Sequence, residues 1–265
     1  MRGATNAILQ LSEEQKKNGV VTHSSGNFAQ ALSLAAQSVG ITAHIVMPNT
    51  APEVKKVGVK EYGGNIYLCE PTVQARQALA DEIAIKTGAT FIHPSNDANV
   101  ILGQGTAALE LLKEHPDLNY IFCPVGGGGL IAGSALAAKY FGNNCKVYGA
   151  EPFEADDAYR SLISGKIEGN ETVNTIADGL KTTLGDINFP IIKELVSGII
   201  RVHEDEIIAA MKLVWERMKI IIEPSSAVTL AAVIRQSKEN PEALKNRKVG
   251  IIISGGNVDL SNLPF

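Results

Sequence analysis

The chain has 265 residues, 24 of them basic and 28 acidic, so that its formal net charge at pH 7 is −4. This charge lacks the basic excess that nucleic-acid binding requires, and no apolar run approaches the roughly 18–20 residues of a membrane span. The 3 cysteines lie far apart in the sequence, which argues against a disulfide scaffold and favours a reducing compartment, so we expect a cytoplasmic globular protein.

Short β-branched or aromatic runs alternate with longer amphipathic stretches along most of the chain. The predicted strands cover residues 19–23, 43–47, 65–69, 90–93, 120–124, 146–150, 199–202 and 249–254. The predicted helices cover residues 2–17, 27–39, 51–62, 72–87, 105–114, 130–141, 204–219 and 225–236. Strands and helices that alternate in this way form parallel β-α-β units with helices on both faces of the sheets. The sequence therefore predicts an α/β fold.

A loop at residues 93–97 separates compact strand–helix units from a region with the richest glycine loops. We predict a small α/β domain at residues 19–96 and a large domain made of residues 1–18 and 97–265. Ligands of such folds bind at the carboxyl ends of the strands, so the loops at those ends are the candidate site.

The first such loop, Ser24-Ser25-Gly26-Asn27, joins a predicted strand to a helix. Its hydroxyls, side-chain amide and backbone N–H groups at the positive end of a helix suit a carboxylate or a phosphate. An ordinary helix N-cap explains the same residues, and the sequence of this loop alone does not decide between them.

The second loop, Gly126–Gly129, follows an apolar strand and precedes a helix. Because only backbone N–H groups line such a turn, it predicts a phosphate-binding loop. The pattern Gly127-x-Gly129-x-x-Ala132 also matches a dinucleotide fingerprint, with Glu151 near the place of a ribose-binding acid. A nicotinamide-dependent protein is therefore an open alternative, although it leaves the other loops without a role.

Two further glycine motifs complete the set. Ser254-Gly255-Gly256-Asn257 follows the last predicted strand and places a hydroxyl at the carboxyl end of the sheet, unless it is a simple turn. Gly103-Gln104-Gly105-Thr106 is best explained as the start of a helix that packs closely on the sheet.

Together these motifs resemble the fold-type II pyridoxal-phosphate enzymes, which have a two-lobe fold like that of the tryptophan synthase β subunit. Within that family they are similar to the serine racemase and serine/threonine dehydratase group, and residues 21–25, 213–219 and 254–260 look like its eukaryotic members. The resemblance covers essentially the whole chain. The other motifs that carry it are Arg2-Gly3-Ala4, Ile176-Ala177-Asp178-Gly179 and Glu223-Pro224-Ser225.

The resemblance implies a pyridoxal 5′-phosphate cofactor in the large domain. Gly126–Gly129 would bind its phosphate at the helix N-terminus. Asn27 would hydrogen-bond the ring hydroxyl oxygen, and Ser254 would face the ring nitrogen. A hydroxyl at that nitrogen does not enforce ring protonation, which favours racemisation and β-elimination over transamination.

The resemblance also implies a small hydroxy-amino acid substrate. Ser24, Ser25 and Asn27 would receive its carboxylate, and Arg76 would approach it from the small domain. Ser25 would be the catalytic acid/base on the face of Cα opposite the lysine that links the cofactor. A carboxylate ligand without proton transfer is the alternative role for Ser25, because an ordinary serine is a poor base.

Two further sites and an assembly follow from the resemblance. A divalent cation, Mg²⁺ or Ca²⁺, would be held by Glu151, the Ala155 carbonyl and Asp157, although solvated acid pairs are common and spacing alone does not predict a metal. ATP would be an effector of a homodimer. The residues that would contribute to the nucleotide site are Gln30, Lys55, Tyr62 and Lys219.

The sequence departs from the family pattern at two points. The Schiff-base lysine of the family stands two residues before Arg2, and Met1 alone precedes Arg2 here. We expect either a C-terminal part of a longer protein, cut at the one modifiable position, or a truncated homologue that is silent in amino-acid chemistry. The second departure is Phe28, where the family usually has histidine.

The predicted function is serine racemisation with β-elimination of water from serine or threonine. A threonine or hydroxyaspartate dehydratase is the alternative within the same chemistry. A lysine-less binding or regulatory protein and a nicotinamide-binding protein are the alternatives from other classes.

Overall fold

The computed structural model describes residues 1–24 and 26–265, so the predicted catalytic residue Ser25 lies outside the described residues. The chain divides into two compact units, Met1–Gly103 and Gln104–Phe265. Each unit contains a four-stranded sheet whose paired strands are all parallel. The predicted α/β class with parallel sheets is confirmed.

The sheet of the first unit has the strand order β3-β2-β1-β4. The elements of this part of the chain are α1 (Arg2–Leu9), α2 (Glu13–Asn18), β1 (Val20–His23), α3 (Asn27–Ser38), β2 (Ala43–Pro48), α4 (Glu53–Glu61), β3 (Asn65–Cys69), α5 (Val73–Thr87) and β4 (Thr90–Phe91). The next helix, α6 (Ala98–Glu114), spans the boundary between the units.

Alternating residues of β2 pack against different helices. Ile45 and Met47 belong to a buried cluster with residues of α1, α3 and α4, whereas Val46 packs with Ala80 and Ile83 of α5. Successive side chains of a strand point to opposite faces, so this sheet is covered by helices on both sides, as predicted.

The N-terminal stretch that is predicted as one helix forms two. Ser12 ends the continuity because its Oγ accepts the backbone N–H of Gln15 while Gln15 Oε1 accepts the backbone N–H of Ser12, a capping box that starts α2. Helix α1 packs on α3 within the first unit, whereas the predicted domain division places residues 1–18 with the large domain. The compact units and the predicted domains therefore divide the chain differently, and the domain division stays a prediction.

The sheet of the second unit has the strand order β7-β6-β5-β8. Its elements are β5 (Tyr120–Pro124), α7 (Gly129–Phe141), β6 (Lys146–Pro152), α8 (Asp157–Ser164), α9 (Asn188–Leu195), β7 (Val196–Val202), α10 (Glu204–Met218), α11 (Pro224–Glu239), α12 (Pro241–Leu244) and β8 (Val249–Ile251), with a short 3-10 helix at Asp178–Leu180. A buried cluster joins strand residues such as Phe122 and Val202 to α10 and α11. In the part of the chain that the structure describes, no helix combines the length and apolar character needed to cross a membrane.

The predicted elements of the second unit differ from the structure at several points. Helix α6, which enters this unit, begins at Ala98, because Asp97 Oδ1 accepts the Val100 N–H at 3.0 Å, so Gly103-Gln104-Gly105-Thr106 lies within the helix and does not start it as predicted. Strand β8 ends at Ile251, three residues before the predicted end. The Ile252 N–H still donates to the Phe122 carbonyl, whereas the Ser254 N–H donates to the side chain of Ser226 and no longer to the sheet. Helices α8, α9 and α12 and the 3-10 helix at Asp178–Leu180 are not among the predicted elements. Helices α8 and α9 are the longest of these. Each has 8 residues, too few for a clear helical repeat.

Candidate active site

The glycine loop of the second unit connects β5 to α7. Gly126, Gly128 and Gly129 are buried, and Gly128 is the N-cap of α7 with φ +83°, a left-handed conformation that favours glycine. The first N–H groups of a helix have no acceptor within the helix and lie at its positive end. The loop therefore has the geometry of an anion-binding site.

Side chains and backbone behind the loop determine its shape. Asn188 Nδ2 donates to the Gly127 carbonyl at 2.7 Å, and Asn188 Oδ1 accepts the Gly185 N–H at 3.1 Å. A Cβ on Gly128 would lie 2.7 Å from Asn188 Oδ1, and one on Gly126 would lie 2.9 Å from the Gly179 carbonyl oxygen. Residues larger than glycine would clash at positions 126 and 128. This agrees with a loop that exposes main-chain amides to a phosphate.

The Ser254 turn follows β8, which is the neighbour of β5 in the sheet. Because the two strands are parallel, the glycine loop and this turn leave the sheet at the same edge. The buried Ser226 Oγ accepts the N–H of Ser254 at 2.7 Å and that of Gly255 at 3.4 Å, while Ser254 itself is exposed. The turn is thus held through its backbone, and its hydroxyl-bearing residue stays accessible.

Three predicted cation ligands lie together where β6 passes into α8. Glu151, Ala155 and Asp157 are each 0% exposed. Glu151 Oε1 and Oε2 accept the backbone N–H groups of Ala158 and Tyr159 at 3.2 and 2.9 Å.

The second carboxylate of this group is incompletely bonded. Asp157 Oδ2 accepts the Leu184 N–H at 3.1 Å, whereas Asp157 Oδ1 has no hydrogen-bond partner among residues 1–24 and 26–265. A buried oxygen without a partner is costly, and a cation beside it would remove that cost.

Burial disfavours the charged forms of both carboxyl groups. Burial raises the pKa of Glu151 well above its usual value, and the charge of Asp157 raises that pKa further. Burial raises the pKa of Asp157 to about 6. Within the described residues, no three His, Cys, Asp or Glu side chains form a group that could hold a metal ion. The donor set is therefore two carboxylates and a carbonyl, which are the hard oxygen ligands that Mg²⁺ and Ca²⁺ prefer.

The predicted substrate residues of the first unit lie at the carboxyl end of β1. Ser24 N–H donates to the Val46 carbonyl at 3.0 Å, and Asn27 begins α3. The N-cap of α3 is Gly26, and no side chain of residues 1–24 or 26–265 caps this helix. The Nζ of buried Lys55 lies 3.7 Å from the position of a Cβ on Gly26. A positive charge therefore lies beside the turn.

Arg76, in α5, lies near the same end of β1. Burial lowers the pKa of His23, the last residue of β1, and the charge of Arg76 lowers it further. The Nε of Arg76 donates to the Thr72 carbonyl at 3.3 Å. Phe28 packs against the core of the first unit.

The four predicted nucleotide-site residues do not all lie in one unit. Gln30 lies in α3, Lys55 lies in α4, and Tyr62 is the C-cap of α4. The Gln30 side chain fills the space beside Gly58 of α4. Lys219 ends α10 in the second unit, and its Nζ donates to the Glu216 carbonyl at 2.7 Å.

Comparison with known proteins identifies the family. Residues 1–255 match the family described as "Pyridoxal-phosphate dependent enzyme". The chain belongs to this family. It is 52% identical over 265 residues to a serine racemase of Dictyostelium discoideum, covering 99% of this chain and 81% of that protein. It is 45% identical to a β-hydroxyaspartate dehydratase of Paracoccus denitrificans, covering 100% of this chain and 83% of that protein. A solved structure of maize serine racemase superposes with a TM-score of 0.95 at 46% identity, covering 98% of this chain and 79% of that chain.

Family membership decides between the two interpretations of the glycine loop. The dinucleotide alternative requires Glu151 to bind a ribose hydroxyl, but Glu151 is fully buried and both of its oxygens accept backbone N–H groups. Pyridoxal phosphate fits the glycine loop, because its phosphate needs the main-chain amides that the loop provides.

Sequence reasoning missed the residues that hold these loops in place. Asn188 and Ser226 are both buried and hydrogen-bond to loop backbone from outside the loops. Ser225, which the sequence marks only as part of the motif Glu223-Pro224-Ser225, accepts the N–H of Gly179 at 2.9 Å through its Oγ. The one local signal was Pro224, which marks the first turn of α11 and thus the position of the two serines.

Proposed function

We propose that the protein is a pyridoxal-phosphate-dependent serine racemase that also eliminates water from serine and threonine. One observation carries the proposal. The main-chain amide loop Gly126–Gly129 and the Ser254 turn follow adjacent parallel strands, in a chain that is 52% identical to a serine racemase.

The cofactor-binding residues have separate tasks in this proposal. The amides of Gly126–Gly129 bind the phosphate, the Ser254 hydroxyl contacts the ring nitrogen, and Asn27 hydrogen-bonds the ring hydroxyl oxygen. When bound, pyridoxal phosphate acts as an electron sink that makes the substrate Cα–H acidic. A neutral hydroxyl at the ring nitrogen favours racemisation and β-elimination, because it does not hold a proton there as a carboxylate would.

The substrate is bound by the turn at residues 24–27. Ser24 and Asn27 donate hydrogen bonds to its carboxylate, and the positive charges of Lys55 and Arg76 favour an anion in that region. Ser25 moves a proton to or from Cα on one face of the substrate, which is the step that distinguishes racemisation from elimination of the L-isomer alone.

A divalent cation, a nucleotide and a second subunit complete the proposal. Support for Mg²⁺ or Ca²⁺ comes from the buried pair Glu151 and Asp157 and from the unbonded Asp157 Oδ1. ATP is proposed as an effector and a homodimer as the assembly on family grounds. The Gln30, Lys55 and Tyr62 side chains of α3 and α4 supply one part of the proposed nucleotide site.

A β-hydroxyaspartate dehydratase is the second candidate, favoured by the 45% identity to such an enzyme. The two functions differ in whether the product retains the amino group. The racemase returns serine with inverted Cα, whereas the dehydratase releases ammonia and a 2-oxo acid from a substrate with a second carboxylate.

Product analysis of the purified, cofactor-loaded protein tests the proposal. L-serine, L-threonine and 3-hydroxyaspartate are supplied separately, D-serine is measured by chiral chromatography, and 2-oxo acids are measured by coupled reduction. We expect D-serine and pyruvate from L-serine, and less 2-oxo acid from hydroxyaspartate. A 2-oxo acid from hydroxyaspartate without D-serine identifies the dehydratase instead. Binding of pyridoxal phosphate without turnover of any substrate contradicts both.

A further inference from the structure

A group of aromatic and charged side chains lies beside the turn that joins β6 to α8. The guanidinium of Arg201, in β7, lies 3.8 Å from the centre of the Tyr159 ring and 4.6 Å from that of the Phe153 ring. Its Nη1 donates to Asp156 Oδ2 at 2.8 Å, and both side chains are mostly buried. We call Arg201, Asp156, Phe153 and Tyr159 the Arg201 clamp.

The clamp surrounds the turn that connects the proposed cation ligands. Glu151 lies in β6, Ala155 lies in the turn, and Asp157 is the first residue of α8. The strand and the helix place the outer two ligands, so the spacing of the three oxygens depends on the conformation of residues 153–156.

Asp156 attaches this turn to two different parts of the unit. Its Oδ1 accepts Arg160 Nε at 2.8 Å, a bond between residues four apart at the start of α8. Its Oδ2 accepts Arg201 Nη1 from a strand that lies 45 residues further along the chain. Arg201 is also the register partner of Glu151 in the β6–β7 pairing. Arg201 thus connects the turn to the strand beside the one that carries Glu151.

We propose that Arg201 is a positioning residue for the divalent-cation site. Its charge holds Asp156, its guanidinium packs against Phe153 and Tyr159, and the clamp keeps the Ala155 carbonyl in register with the two carboxylates. This inference rests on the cation site proposed above. In it, Arg201 acts on the ion only through the residues that it holds and does not contact the ion itself.

The charge and the position of Arg201 act on cation affinity in opposite directions. A positive side chain near a divalent cation repels it, so loss of the charge alone would tighten binding. Loss of a group that orients metal ligands weakens binding by about 10–100-fold. The direction of the change therefore distinguishes a positioning residue from a nearby charge.

Titration calorimetry with Ca²⁺ and with Mg²⁺ on the cofactor-loaded protein tests the proposal. Arg201→Met removes the charge and the planar group, and we expect it to raise the Kd of the ion by about tenfold. Arg201→Lys keeps the charge but loses the planar stacking, and we expect a smaller increase. Arg235→Met is the matched control, because the Arg235 guanidinium lies 5.2 Å from the same Phe153 ring but pairs with Glu206 and Glu239. We expect its Kd to equal that of the wild type.

Each outcome decides a separate point. Equal or tighter binding by Arg201→Met, with binding by the wild type intact, overturns the positioning role and leaves the cation site standing. Absence of cation binding by the wild type overturns the site and the clamp together. Equal weakening by Arg201→Met and Arg235→Met shows general destabilisation around Phe153 and also overturns the proposal. If circular dichroism shows that Arg201→Met is unfolded, the comparison of Arg201→Lys with Arg235→Met decides.

Discussion

Each compact unit connects a strand in the interior of its sheet to the next helix through a glycine-containing segment, residues 24–27 after β1 and residues 126–129 after β5. The first segment contains two serines and an asparagine, whereas the second contains glycine alone. The first offers side-chain groups of defined chemistry and the second offers main-chain amides. A phosphate needs several equivalent donors, while a proton transfer at one carbon needs one particular side chain. This contrast agrees with the proposed function, in which the second unit anchors the cofactor phosphate and the first unit carries the substrate chemistry.

The units also differ in the titratable groups that they bury. In the first unit, burial lowers the pKa of His23 and that of His44, so both histidines favour the neutral form. In the second unit, burial raises the pKa of Glu151 and that of Asp157, so both carboxyl groups also favour the neutral form. The histidines become charged in acid and the carboxyl groups become charged in base. Acid is therefore expected to lower the stability of the first unit, and base that of the second.

The largest effect is expected at the side-chain segment. Ser25→Ala removes the proposed proton donor and acceptor on one face of Cα, and we expect racemisation to fall by about 10²–10⁴-fold. Elimination from L-serine is expected to fall much less, because the proton lost from the L-isomer leaves from the other face. Parallel assays of D-serine and pyruvate from L-serine measure both reactions.

Ser24→Ala serves as the comparison for that test. Ser24 is proposed to bind the substrate carboxylate without proton transfer, so its loss is expected to raise KM and to reduce both reactions by a similar factor. Equal losses of racemisation and elimination in Ser25→Ala would falsify the face-specific role and would make the two serines equivalent carboxylate ligands.

The second prediction concerns pH and the cation. Asp157 has a folded pKa of about 6, above its ordinary value of 3.8, so its stabilising contribution is complete below pH 3.8 and is lost as pH rises through 6. In chelator we expect the second unit to be less stable at pH 8 than at pH 5, by about 1.4 kcal/mol from Asp157, because only the one unit between pH 5 and its folded pKa counts and one unit corresponds to ~1.4 kcal/mol. The raised pKa of Glu151 adds to this loss in the same direction. Urea unfolding followed through Trp215, the single tryptophan and a residue of the second unit, measures this. Added Mg²⁺ is expected to restore the stability at pH 8.

The opposite dependence of stability on pH is expected in the first unit. The folded pKa of His23 and that of His44 lie below the ordinary value of 6.5, so their contribution is present above pH 6.5 and is lost as pH falls below it. Hydrogen exchange in peptides from β1 and β2, corrected for intrinsic rates, is expected to accelerate at pH 5. Loss of stability on the same side of neutrality in both units contradicts the comparison.

The third prediction concerns how the Ser254 turn is held. Ser226→Ala leaves the N–H groups of Ser254 and Gly255 without their acceptor, and we expect the free energy of unfolding to fall by about 2 kcal/mol. Ser237→Ala is the control, because its hydroxyl bonds a carbonyl at the exposed end of the same helix. We expect the control to change stability by less than ~0.5 kcal/mol in urea unfolding. Equal effects of the two substitutions would show that Ser226 has no special role in the turn.

The parts of the site that sequence predicts are those with local causes. The left-handed φ of Gly128 requires glycine, so the loop after β5 is visible in the sequence alone. The alternation of strands and helices likewise reflects side-chain periods of two and 3.6 residues that each segment carries by itself. This is why the parallel sheets and the position of the glycine loop between β5 and α7 agree with the prediction, while phosphate binding by the loop stays a prediction.

The residues that hold the loops could not be predicted, because their partners are distant in sequence. Asn188 bonds to a loop residue 61 positions away, and Ser226 bonds to a turn residue 28 positions away. Neither has a motif of its own, and an asparagine or serine near a helix start is usually a cap. Tertiary packing alone brings these pairs together.

The smallest effect is expected at the main-chain segment, where no side chain is lost. Gly128→Ala forces a Cβ to within 2.7 Å of Asn188 Oδ1 at a residue with φ +83°. The loop has to shift, and we expect the affinity for pyridoxal phosphate to fall about tenfold, equivalent to ~1.4 kcal/mol. Equilibrium dialysis measures it, with pyridoxal in a parallel titration. The affinity for pyridoxal, which lacks the phosphate, is expected to change little.

Gly40→Ala separates backbone strain from the loss of the phosphate site. Gly40 has φ +72° and no atom within 4 Å of its Cβ position, so alanine there introduces the same strain without a displaced loop. Both variants are expected to lose stability, but Gly128→Ala alone is expected to lose the preference for pyridoxal phosphate over pyridoxal. If Gly128→Ala keeps that preference, the phosphate is bound elsewhere. The proposed roles of the two segments, phosphate binding by residues 126–129 and substrate chemistry by residues 24–27, are then wrong.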